Sequence, residues 1–538
     1  MGDTIDCLFI GHNEMQFDEY EKTIRSMSIK SGAYRDLNLS FIQMNGNRFN
    51  APDLFNHYFY KMGDRKDDFG PLNLGNIFSN AIAYLSSFLE RRGLTTDYVN
   101  SFQYEKDSLI EKLKNSNITA IAIPTTLYVS VFPILEIMKF IKKYNPTAKV
   151  ILGGPFIANN LSGDNVAAIQ FMFKSIHADF YINSSQGEET LSNIVYALKS
   201  GSDICSIENI IYKNKEGSYS HTPLKIEDNE LSENMINWNR FSGGLGKCLS
   251  VRTSISCPFS CYFCEYPQRA GRYRYTSVET VERELNEISQ LGYVTSVSFV
   301  DDTFNVPPDR FKEILKMMIK NNYKFKWNSY FRCQYADRET VELMKESGCE
   351  GVILGIESGS DKILSNMNKA VTVEKYRQGI NLLNEYGIVS EASFIIGFIG
   401  ENSDTFNETV QFIEECRPTF YRPQAWYCST LAPVWQEREK LKIKGVGFEW
   451  SHDSMDSNVA FGLVESMFIN IKKSTWVPQH NFDFPGIVGL MHRGLDLSQI
   501  TEYVNCFNDG IKEKLINPQS KELSEENKNK MESFFEKL

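Results

Sequence analysis

Cys257-Pro-Phe-Ser-Cys261-Tyr-Phe-Cys264 is the most informative stretch of this chain, because it places three thiols in one short loop with the spacing CxxxCxxC. Iron–sulfur clusters are usually held by four cysteine thiolates. Three thiolates from one loop can hold one face of a cubic cluster and leave one iron open. That open position suits a small ligand that binds through an amine and a carboxylate.

A zinc site or a disulfide framework fits these cysteines less well. Zinc sites usually show two separated pairs of Cys or His, and no second CxxC pair follows within 50 residues of Cys264. Eleven cysteines in 538 residues are sparse and odd in number for a disulfide framework. The acidic start, Met1-Gly-Asp-Thr-Ile-Asp, does not resemble a secretory signal. We therefore expect a cytoplasmic protein with reduced thiols.

The cysteine loop, with Phe263 directly before its last cysteine, resembles the radical S-adenosylmethionine superfamily. The resemblance implies that Cys257, Cys261 and Cys264 bind a [4Fe-4S] cluster and that S-adenosylmethionine occupies the open iron. It also implies an electron donor such as flavodoxin or ferredoxin.

Apolar strands alternate with helices on both sides of this loop. The strands expected from the pattern are 249–256, 296–300, 326–332, 351–359, 392–397 and 424–429. Six such βα units predict a partial (β/α)6 barrel over residues 245–440, and barrels place their chemistry at the carboxyl ends of the strands.

The strand ends carry motifs that are similar to those of cobalamin-dependent radical enzymes. These are Asp301-Asp-x-Phe304, Gly355-Ile-Glu-Ser-Gly359 and Gly397-Phe-Ile-Gly-Glu401, the last with Ile399 where the family has proline. The resemblance implies that polar groups at these ends contact the amine, carboxylate or ribose of S-adenosylmethionine. The implied residues, besides Phe263, are Asp302, Arg332, Glu357, Gly397 and Glu401.

Upstream of the barrel, four short apolar strands separated by helices predict a doubly wound, Rossmann-like α/β sheet with its ligand above the strand ends. The dinucleotide fingerprint GxGxxG is missing. The ordered strand-end motifs Thr-Thr-Leu-Tyr, Gly-Gly-Pro and Gly-Glu-Glu instead resemble the cobalamin-binding domains of class B radical methylases. The implied contacts are Thr125, Thr126, Leu127, Tyr128, Gly153, Gly154, Gly187 and Glu188.

The cobalt ligand is the main departure from other cobalamin proteins. The motif Asp-x-His-x-x-Gly, which supplies an axial imidazole elsewhere, is absent, and His12 is the only histidine near the expected site. The resemblance therefore implies a cobalt without a protein histidine ligand. A vestigial domain that binds no corrin is the alternative.

The expected domains are a cobalamin-binding domain over 1–205 with an insertion at 13–72, a linker over 206–244, the barrel, and a helical cap over 441–538. Cap regions vary with substrate in this superfamily. We expect substrate contacts from Trp426, Tyr427 and Trp435 on the sixth strand, together with His452.

Charge and hydropathy exclude two classes of partner. The net charge of −11, without a Lys/Arg stripe, argues against nucleic acid. No apolar run approaches the ~18 residues of a membrane span. The expected partner is a small molecule, free or carrier-bound.

The resemblance as a whole is to cobalamin-dependent (class B) radical S-adenosylmethionine methyltransferases. It implies transfer of a methyl group from methylcobalamin to an unactivated carbon, or to a phosphinate phosphorus, of a specialised-metabolite precursor. The opening Asp6-Cys-Leu-Phe-Ile-Gly-His-Asn13 resembles the subgroup that includes phosphinate P-methyltransferases. Two alternatives stay open: a non-methylating rearrangement or ring contraction with the same cofactors, and a cobalamin or redox sensor without catalysis.

Overall fold

The computed structural model describes ten segments of the chain, namely residues 4–13, 17–26, 32–63, 66–73, 77–128, 130–161, 166–214, 216–478, 482–519 and 522–538. The strands are β1 (Thr4–His12), β2 (Ile42–Met44), β3 (Asn47–Phe49), β4 (Thr96–Ser101), β5 (Asn117–Pro124), β6 (Lys149–Gly153), β7 (Phe180–Ile182), β8 (Ile210–Lys213), β9 (Tyr219–His221), β10 (Cys248–Val251), β11 (Ser254–Ile255), β12 (Arg274–Tyr275), β13 (Ser296–Phe299), β14 (Lys326–Phe331), β15 (Cys349–Glu357), β16 (Val389–Ile396), β17 (Phe420–Ala425), β18 (Lys444–Val446), β19 (Glu449–His452), β20 (Met455–Asp456) and β21 (Thr475–Trp476).

Helices connect and cover these strands. They are α1 (Phe17–Arg25), α2 (Gly32–Asn38), α3 (Ala51–Asn56), α4 (Asn80–Glu90), α5 (Lys106–Asn115), α6 (Phe132–Tyr144), α7 (Pro155–Leu161), α8 (Val166–Ile176), α9 (Glu188–Ser200), α10 (Tyr266–Ala270), α11 (Val278–Gln290), α12 (Pro308–Asn321), α13 (Arg338–Glu346), α14 (Asp361–Asn366), α15 (Val373–Glu385), α16 (Ser403–Cys416), α17 (Ser457–Asn470), α18 (Phe484–His492), α19 (Leu497–Ile516) and α20 (Glu525–Lys537). Within the described residues, no helix has the length and apolarity needed to cross a bilayer.

The first sheet has the order β4-β1-β5-β6-β7-β8-β9. Its first five strands are parallel and stand, in chain order, as 2-1-3-4-5. This is the flavodoxin-like doubly wound order, whose ligand crevice lies where the strand order reverses, between β1 and β5. The predicted doubly wound sheet is therefore present, and its switch point is defined.

The hairpin β8–β9 lies inside the segment 206–244 that the sequence predicts as a linker. It pairs antiparallel with β7 and extends the first sheet at its edge. Farther along, Glu227 accepts hydrogen bonds from the N–H groups of Glu189 and Thr190 at 3.0 and 3.3 Å. The indole N–H of Trp238 donates to Glu284 of α11 at 3.1 Å. The segment is thus bonded to both of the domains that it joins.

The second sheet has the order β10-β13-β14-β15-β16-β17-β21 with parallel pairing throughout. The six predicted barrel strands are present, and β21 adds a short seventh from the C-terminal region. The sixth strand begins at Phe420, four residues before the predicted start at residue 424. Arg422 and Gln424 alternate with buried neighbours along it, so this strand lacks the continuous apolar run on which the prediction relied.

The described parts of the 13–72 insertion pack against the C-terminal helices. The rings of Tyr58 and Phe535 stack with centroids 5.0 Å apart, and the Tyr503 hydroxyl donates to the Ala51 carbonyl. Lys514 Nζ donates to the Phe41 carbonyl at 2.6 Å. The segment 441–538 is mainly helical, as predicted, and adds the antiparallel sheet β18–β19–β20. Insertion and C-terminal segment therefore form one layer beside the barrel.

Candidate active site

The cysteine loop follows β11 at the carboxyl end of β10, the end at which barrel folds place their chemistry. Cys261 is buried, whereas Cys257 and Cys264 are partly exposed. The N–H of Cys264 donates to the carbonyl of Cys261 at 3.1 Å, which closes the loop. Tyr262 holds it in place, donating through its N–H to Met367 at 2.9 Å and accepting from Val434 at 3.1 Å.

The three thiols share one electrostatic environment. Burial raises the pKa of Cys264 to about 11, and the neighbouring Cys261 and Cys257 add to the shift. Thiols of this kind ionise when a metal replaces the proton. Among the described residues, no three Cys, His, Asp or Glu side chains converge as the ligands of a single metal ion do.

Asp302 and Arg332, which the family resemblance implies as cofactor contacts, lie beside the cysteine loop. Burial raises the pKa of Asp302 to about 6, and a hydrogen bond from Tyr266 of α10 opposes that shift. The Arg332 guanidinium lies 3.5 Å above the ring of Phe259 and lowers the pKa of Cys257, which burial raises. The Asp302 carboxyl group and the Arg332 guanidinium group therefore flank the expected cluster position.

Glu357 and Phe263 are linked to the same place through Lys369. Glu357 ends β15 in the left-handed region, with φ of 68°, where the pairing of β15 with β16 shifts register. Lys369 Nζ forms an ion pair with Glu357 at 3.0 Å and lies 5.6 Å from the ring centroid of Phe263. The Lys369 carbonyl accepts from Arg332 at 3.4 Å. These contacts join the ends of β14 and β15 to the loop.

The turn from Gly397 to Glu401 is tightly packed. Gly397 has φ of 93°, and a Cβ there would lie 2.6 Å from the Trp450 ring. One oxygen of Glu401 accepts from the Gly397 N–H, while the other is buried without a hydrogen-bond partner. Burial raises the pKa of Glu401 to about 7. An orphaned carboxyl oxygen at a strand end is what a missing ammonium or hydroxyl donor would leave.

The four residues expected to contact substrate lie elsewhere. Trp426 is 1% exposed in a small core cluster and follows the sixth strand rather than lying on it. Trp435 lies in the short helix Pro433–Glu437, and Tyr427 packs on Phe448. His452 Nε2 lies 2.9 Å from the Gly397 carbonyl and supports that turn. The structure brings none of these four side chains to the main cavity.

The strand ends at the switch point of the first sheet divide into anchors and outward-facing residues. The Tyr128 hydroxyl donates to the Gly11 carbonyl and accepts from the Asn13 N–H, both at 3.0 Å, and so ties β5 to β1. Thr125 is buried and donates through its N–H to the Gly153 carbonyl at 2.7 Å. Thr126 and Leu127 are exposed between these anchors. A flat ligand would meet Thr126 and Leu127, while Thr125 and Tyr128 shape the loop.

Gly154 and His12 border the same crevice. Gly154 has φ of 112°, and a Cβ there would lie 3.0 Å from Thr125, so the two strand ends approach through a glycine. His12 ends β1 with its ring 5.8 Å from Tyr128, and its Nδ1 is buried without a hydrogen-bond partner. Burial lowers the pKa of His12. The crevice is thus bordered by the Gly154 backbone, which carries no side chain, and by the buried Nδ1 of a neutral His12, which has no hydrogen-bond partner.

Gly187 begins α9 with φ of 81°, and the next residue, Glu188, is buried. Glu188 Oε1 lies 3.8 Å from Arg252 Nη2, directly after β10 and five residues before the first cluster cysteine. The Arg252 guanidinium also lies 4.3 Å from the ring centroid of Tyr84. The structure therefore connects the first sheet to the start of the cysteine loop through Glu188.

The barrel encloses a cavity of about 880 Å³, within the range of ligand sites. Residues from the six predicted barrel strands line it, and many of these are polar: Ser250, Ser298, Asn328, Tyr330, Glu357, Glu391, Ser393, Arg422 and Gln424. Residues of α18 and of the segment 68–73 line its side. Apart from Glu357, the sequence analysis missed these polar residues, although a polar residue at every second position of a strand was the available signal.

Residues 251–413 match the family model described as Radical SAM superfamily. An uncharacterized methyltransferase of Pyrococcus horikoshii is 26% identical over 285 residues, which are 52% of this chain and 60% of that protein. An anaerobic magnesium-protoporphyrin IX monomethyl ester cyclase of Rubrivivax gelatinosus is 23% identical over 359 residues, 63% of this chain and 62% of that protein. The chain thus spans about three fifths of each relative's length.

Two solved structures share the fold. TsrM from Kitasatospora setae, a radical S-adenosylmethionine methyltransferase with cobalamin and a [4Fe-4S] cluster bound, has a TM-score of 0.55 at 17% identity, covering 69% of this chain and 76% of that one. The cobalamin-dependent radical enzyme OxsB, with aqua-cobalamin and S-adenosylmethionine bound, has a TM-score of 0.52 at 15% identity, covering 99% and 71%. The predicted fold class is confirmed, and the predicted resemblance to radical S-adenosylmethionine enzymes is confirmed over residues 251–413.

Proposed function

We propose that this chain is a cobalamin-dependent radical S-adenosylmethionine methyltransferase for a small molecule. The observation that carries the proposal is the position of the cysteine loop: it lies at the carboxyl end of β10 and is joined by Arg252 and Glu188 to a sheet of flavodoxin-like order. The TsrM structure contains cobalamin and a [4Fe-4S] cluster, the OxsB structure contains aqua-cobalamin and S-adenosylmethionine, and the Pyrococcus relative is named an uncharacterized methyltransferase.

The chain's residues divide the work by position. When bound, the cluster with S-adenosylmethionine supplies a hydrogen-abstracting 5′-deoxyadenosyl radical, and cobalamin carries the methyl group. Cys257, Cys261 and Cys264 would hold the cluster. Arg332 offers guanidinium donors for a carboxylate, and the orphaned oxygen of Glu401 offers an acceptor for an ammonium or hydroxyl group.

Other residues would hold the corrin and exclude water. Thr126 and Leu127 would face the flat ligand, with Gly153, Gly154 and Gly187 allowing close backbone approach. Glu357 and residues of the barrel strands line the cavity, and exclusion of water from it would protect a reactive radical. A methyl acceptor in this cavity would be an unactivated carbon, or a phosphinate phosphorus, of a specialised-metabolite precursor.

The test is anaerobic incubation of the full chain with deuterated-methyl S-adenosylmethionine, a reductant, cobalamin and an extract of the native host. We expect label in one extract component, with S-adenosylhomocysteine and 5′-deoxyadenosine formed in step. The matched control is Cys261→Ala, which should form neither the labelled component nor 5′-deoxyadenosine. Turnover without label transfer would contradict methylation.

A non-methylating reaction is the second candidate, because the Rubrivivax relative is named a cyclase. In that case 5′-deoxyadenosine would form without S-adenosylhomocysteine. A purely sensory role is less consistent with the cavity, since a sensor does not need a ligand-sized cavity inside the barrel.

A further inference from the structure

The barrel cavity contains three charged side chains with unsatisfied polar atoms. They are Glu391 of β16, Arg422 of β17 and Asp483 directly before α18. Glu391 Oε2, Arg422 Nε and Asp483 Oδ1 are all buried without a hydrogen-bond partner. Buried charged groups are costly unless they are paired and hydrogen-bonded. Three such groups around one cavity indicate that a ligand completes the pairing.

The strand register places these groups within reach of one small molecule. Arg422 pairs with Ser393 across the two neighbouring strands, and Glu391 lies two residues before Ser393. Residues two apart on a strand share a face, so Glu391 and Arg422 are diagonal neighbours on the cavity side. Asp483 lines the same cavity as Arg422, and Arg422 lowers the pKa of Asp483, which burial raises.

The charges around this part of the cavity do not balance. Burial raises the pKa of Glu391 to about 7, with Arg422 opposing the shift. Two carboxyl groups, Glu391 and Asp483, thus line the cavity together with the Arg422 guanidinium. A ligand must bring positive charge to the carboxylates and an acceptor to Arg422.

The other two cations that line the cavity are already engaged. Lys247 forms an ion pair with Asp68 at 2.9 Å. Arg493 donates to the Tyr60 hydroxyl and to the Gly70 and Gly489 carbonyls at 2.6 to 2.8 Å. Arg422 is therefore the cavity cation whose donors are available to a ligand.

We propose that the substrate is a zwitterion with an apolar body, its ammonium bound by Glu391 and Asp483 and its oxyanion bound by Arg422. The guanidinium suits a carboxylate or a phosphinate, both of which accept two parallel hydrogen bonds. Apolar residues that line the same cavity, such as Ile395, Phe482 and Phe484, receive the body. The inference rests on the proposed function, because it takes this cavity as the place of the reaction.

Calorimetric titration of the full-length protein with defined probes tests the inference. The probes are L-phenylalanine, its phosphinic acid analogue, 2-phenylethylamine, which lacks the oxyanion, and 3-phenylpropionate, which lacks the ammonium. We expect at least one zwitterion to bind at millimolar concentration or tighter. Each singly charged probe should bind at least tenfold more weakly, a difference of about 1.4 kcal/mol. The two zwitterions distinguish the carboxylate from the phosphinate.

Two variants test the two contacts separately, because each should weaken only the probes that carry the group it binds. Arg422→Gln should lower the affinity for the zwitterion at least tenfold and leave the affinity for 2-phenylethylamine unchanged. Glu391→Gln should lower the affinity for the zwitterion and leave the affinity for 3-phenylpropionate unchanged. The exposed Arg438→Gln and Glu439→Gln are matched controls and should change neither.

The inference would be overturned by equal affinity for zwitterions and singly charged probes, or by absence of binding by both zwitterions. It would also be overturned if either variant lost affinity for the probe that it should leave unchanged. Iron content and reductive cleavage of S-adenosylmethionine are measured on the same preparations. If these fail, the proposed function fails, whatever the titrations show. If they succeed while the titrations contradict the pattern, only the substrate class is refuted.

Discussion

Replacing Arg252 with methionine tests the connection between the first sheet and the cysteine loop. The substitution keeps an unbranched side chain over Tyr84 but leaves the Glu188 carboxylate, whose side chain is 5% exposed, without its cation. Breaking a fully buried ion pair costs about 3–5 kcal/mol. Arg252 is 28% exposed and the charged atoms are 3.8 Å apart, so we expect a smaller loss of unfolding free energy, about 2–3 kcal/mol.

The loss should depend on pH, because burial already raises the pKa of Glu188 while Arg252 lowers it. Without Arg252 the pKa rises further, and a carboxyl with a raised pKa in the folded state loses stability as the pH rises through that value. Arg252→Met should therefore cost more at pH 8 than at pH 6. In the double variant Arg252→Met with Glu188→Gln, the buried charge is absent. The pH dependence that Glu188 contributes to the unfolding free energy should therefore disappear.

Urea unfolding of the full chain, followed by circular dichroism at both pH values, measures these effects. The exposed pair Lys440–Glu437 is the matched control, and Lys440→Met should leave the unfolding free energy unchanged within the error of the measurement. Strict additivity of the two single substitutions, with no pH dependence, would show that Glu188 and Arg252 do not interact and would refute the reasoning.

Three further predictions concern the cofactor crevice, the Gly397 turn and one buried carboxyl. Thr126→Trp should lower cobalamin occupancy ten- to a hundredfold at limiting corrin, since filling a packed site costs about 1–3 kcal/mol. Because Thr126 is exposed, the unfolding free energy of the protein without cobalamin should not change. An unchanged cobalamin occupancy, measured by absorbance, would contradict the assignment. Gly397→Ala should destabilise the protein by about 2–4 kcal/mol, because of the positive φ at this position and the clash of the new Cβ with Trp450. Gly400→Ala, whose Cβ would meet only the Asn366 side chain, should lower the unfolding free energy less. Equal melting temperatures of the two variants would refute this. Glu284→Gln should stabilise the protein above about pH 8, since burial raises the pKa of Glu284 to about 8. The wild-type chain loses up to ~1.4 kcal/mol of unfolding free energy per pH unit between the normal pKa of a glutamate and that value. Parallel pH–stability profiles of variant and wild type would contradict this prediction.

The parts predictable from sequence were those with local spacing or continuous apolar runs. The cysteine loop and the flavodoxin-like strands depend on neighbours in the chain, so pattern alone was sufficient. Phe420–Ala425 was misplaced because Arg422 and Gln424 interrupt its apolar pattern, and the same alternation concealed the polar cavity.

The partners of individual side chains could not be predicted, because they depend on contacts between segments far apart in the chain. Glu188 was expected at a cofactor, and the structure places it beside Arg252, 64 residues later. Trp426 was expected at a substrate and lies in a core cluster, since aromatic residues fill cores and sites alike. The packing of the 13–72 insertion on α19 and α20 was likewise not predictable, because it joins segments more than 400 residues apart.

The central claim is that three cysteines hold a cluster with one iron open to S-adenosylmethionine. The most direct measurement is iron content and 5′-deoxyadenosine formation by anaerobically reconstituted wild-type protein and by Cys257→Ala/Cys261→Ala/Cys264→Ala, with Cys416→Ala as the control. Wild type and control should contain about four iron atoms per chain and cleave S-adenosylmethionine, and the triple variant should do neither. A triple variant with full iron content and normal cleavage would contradict the claim.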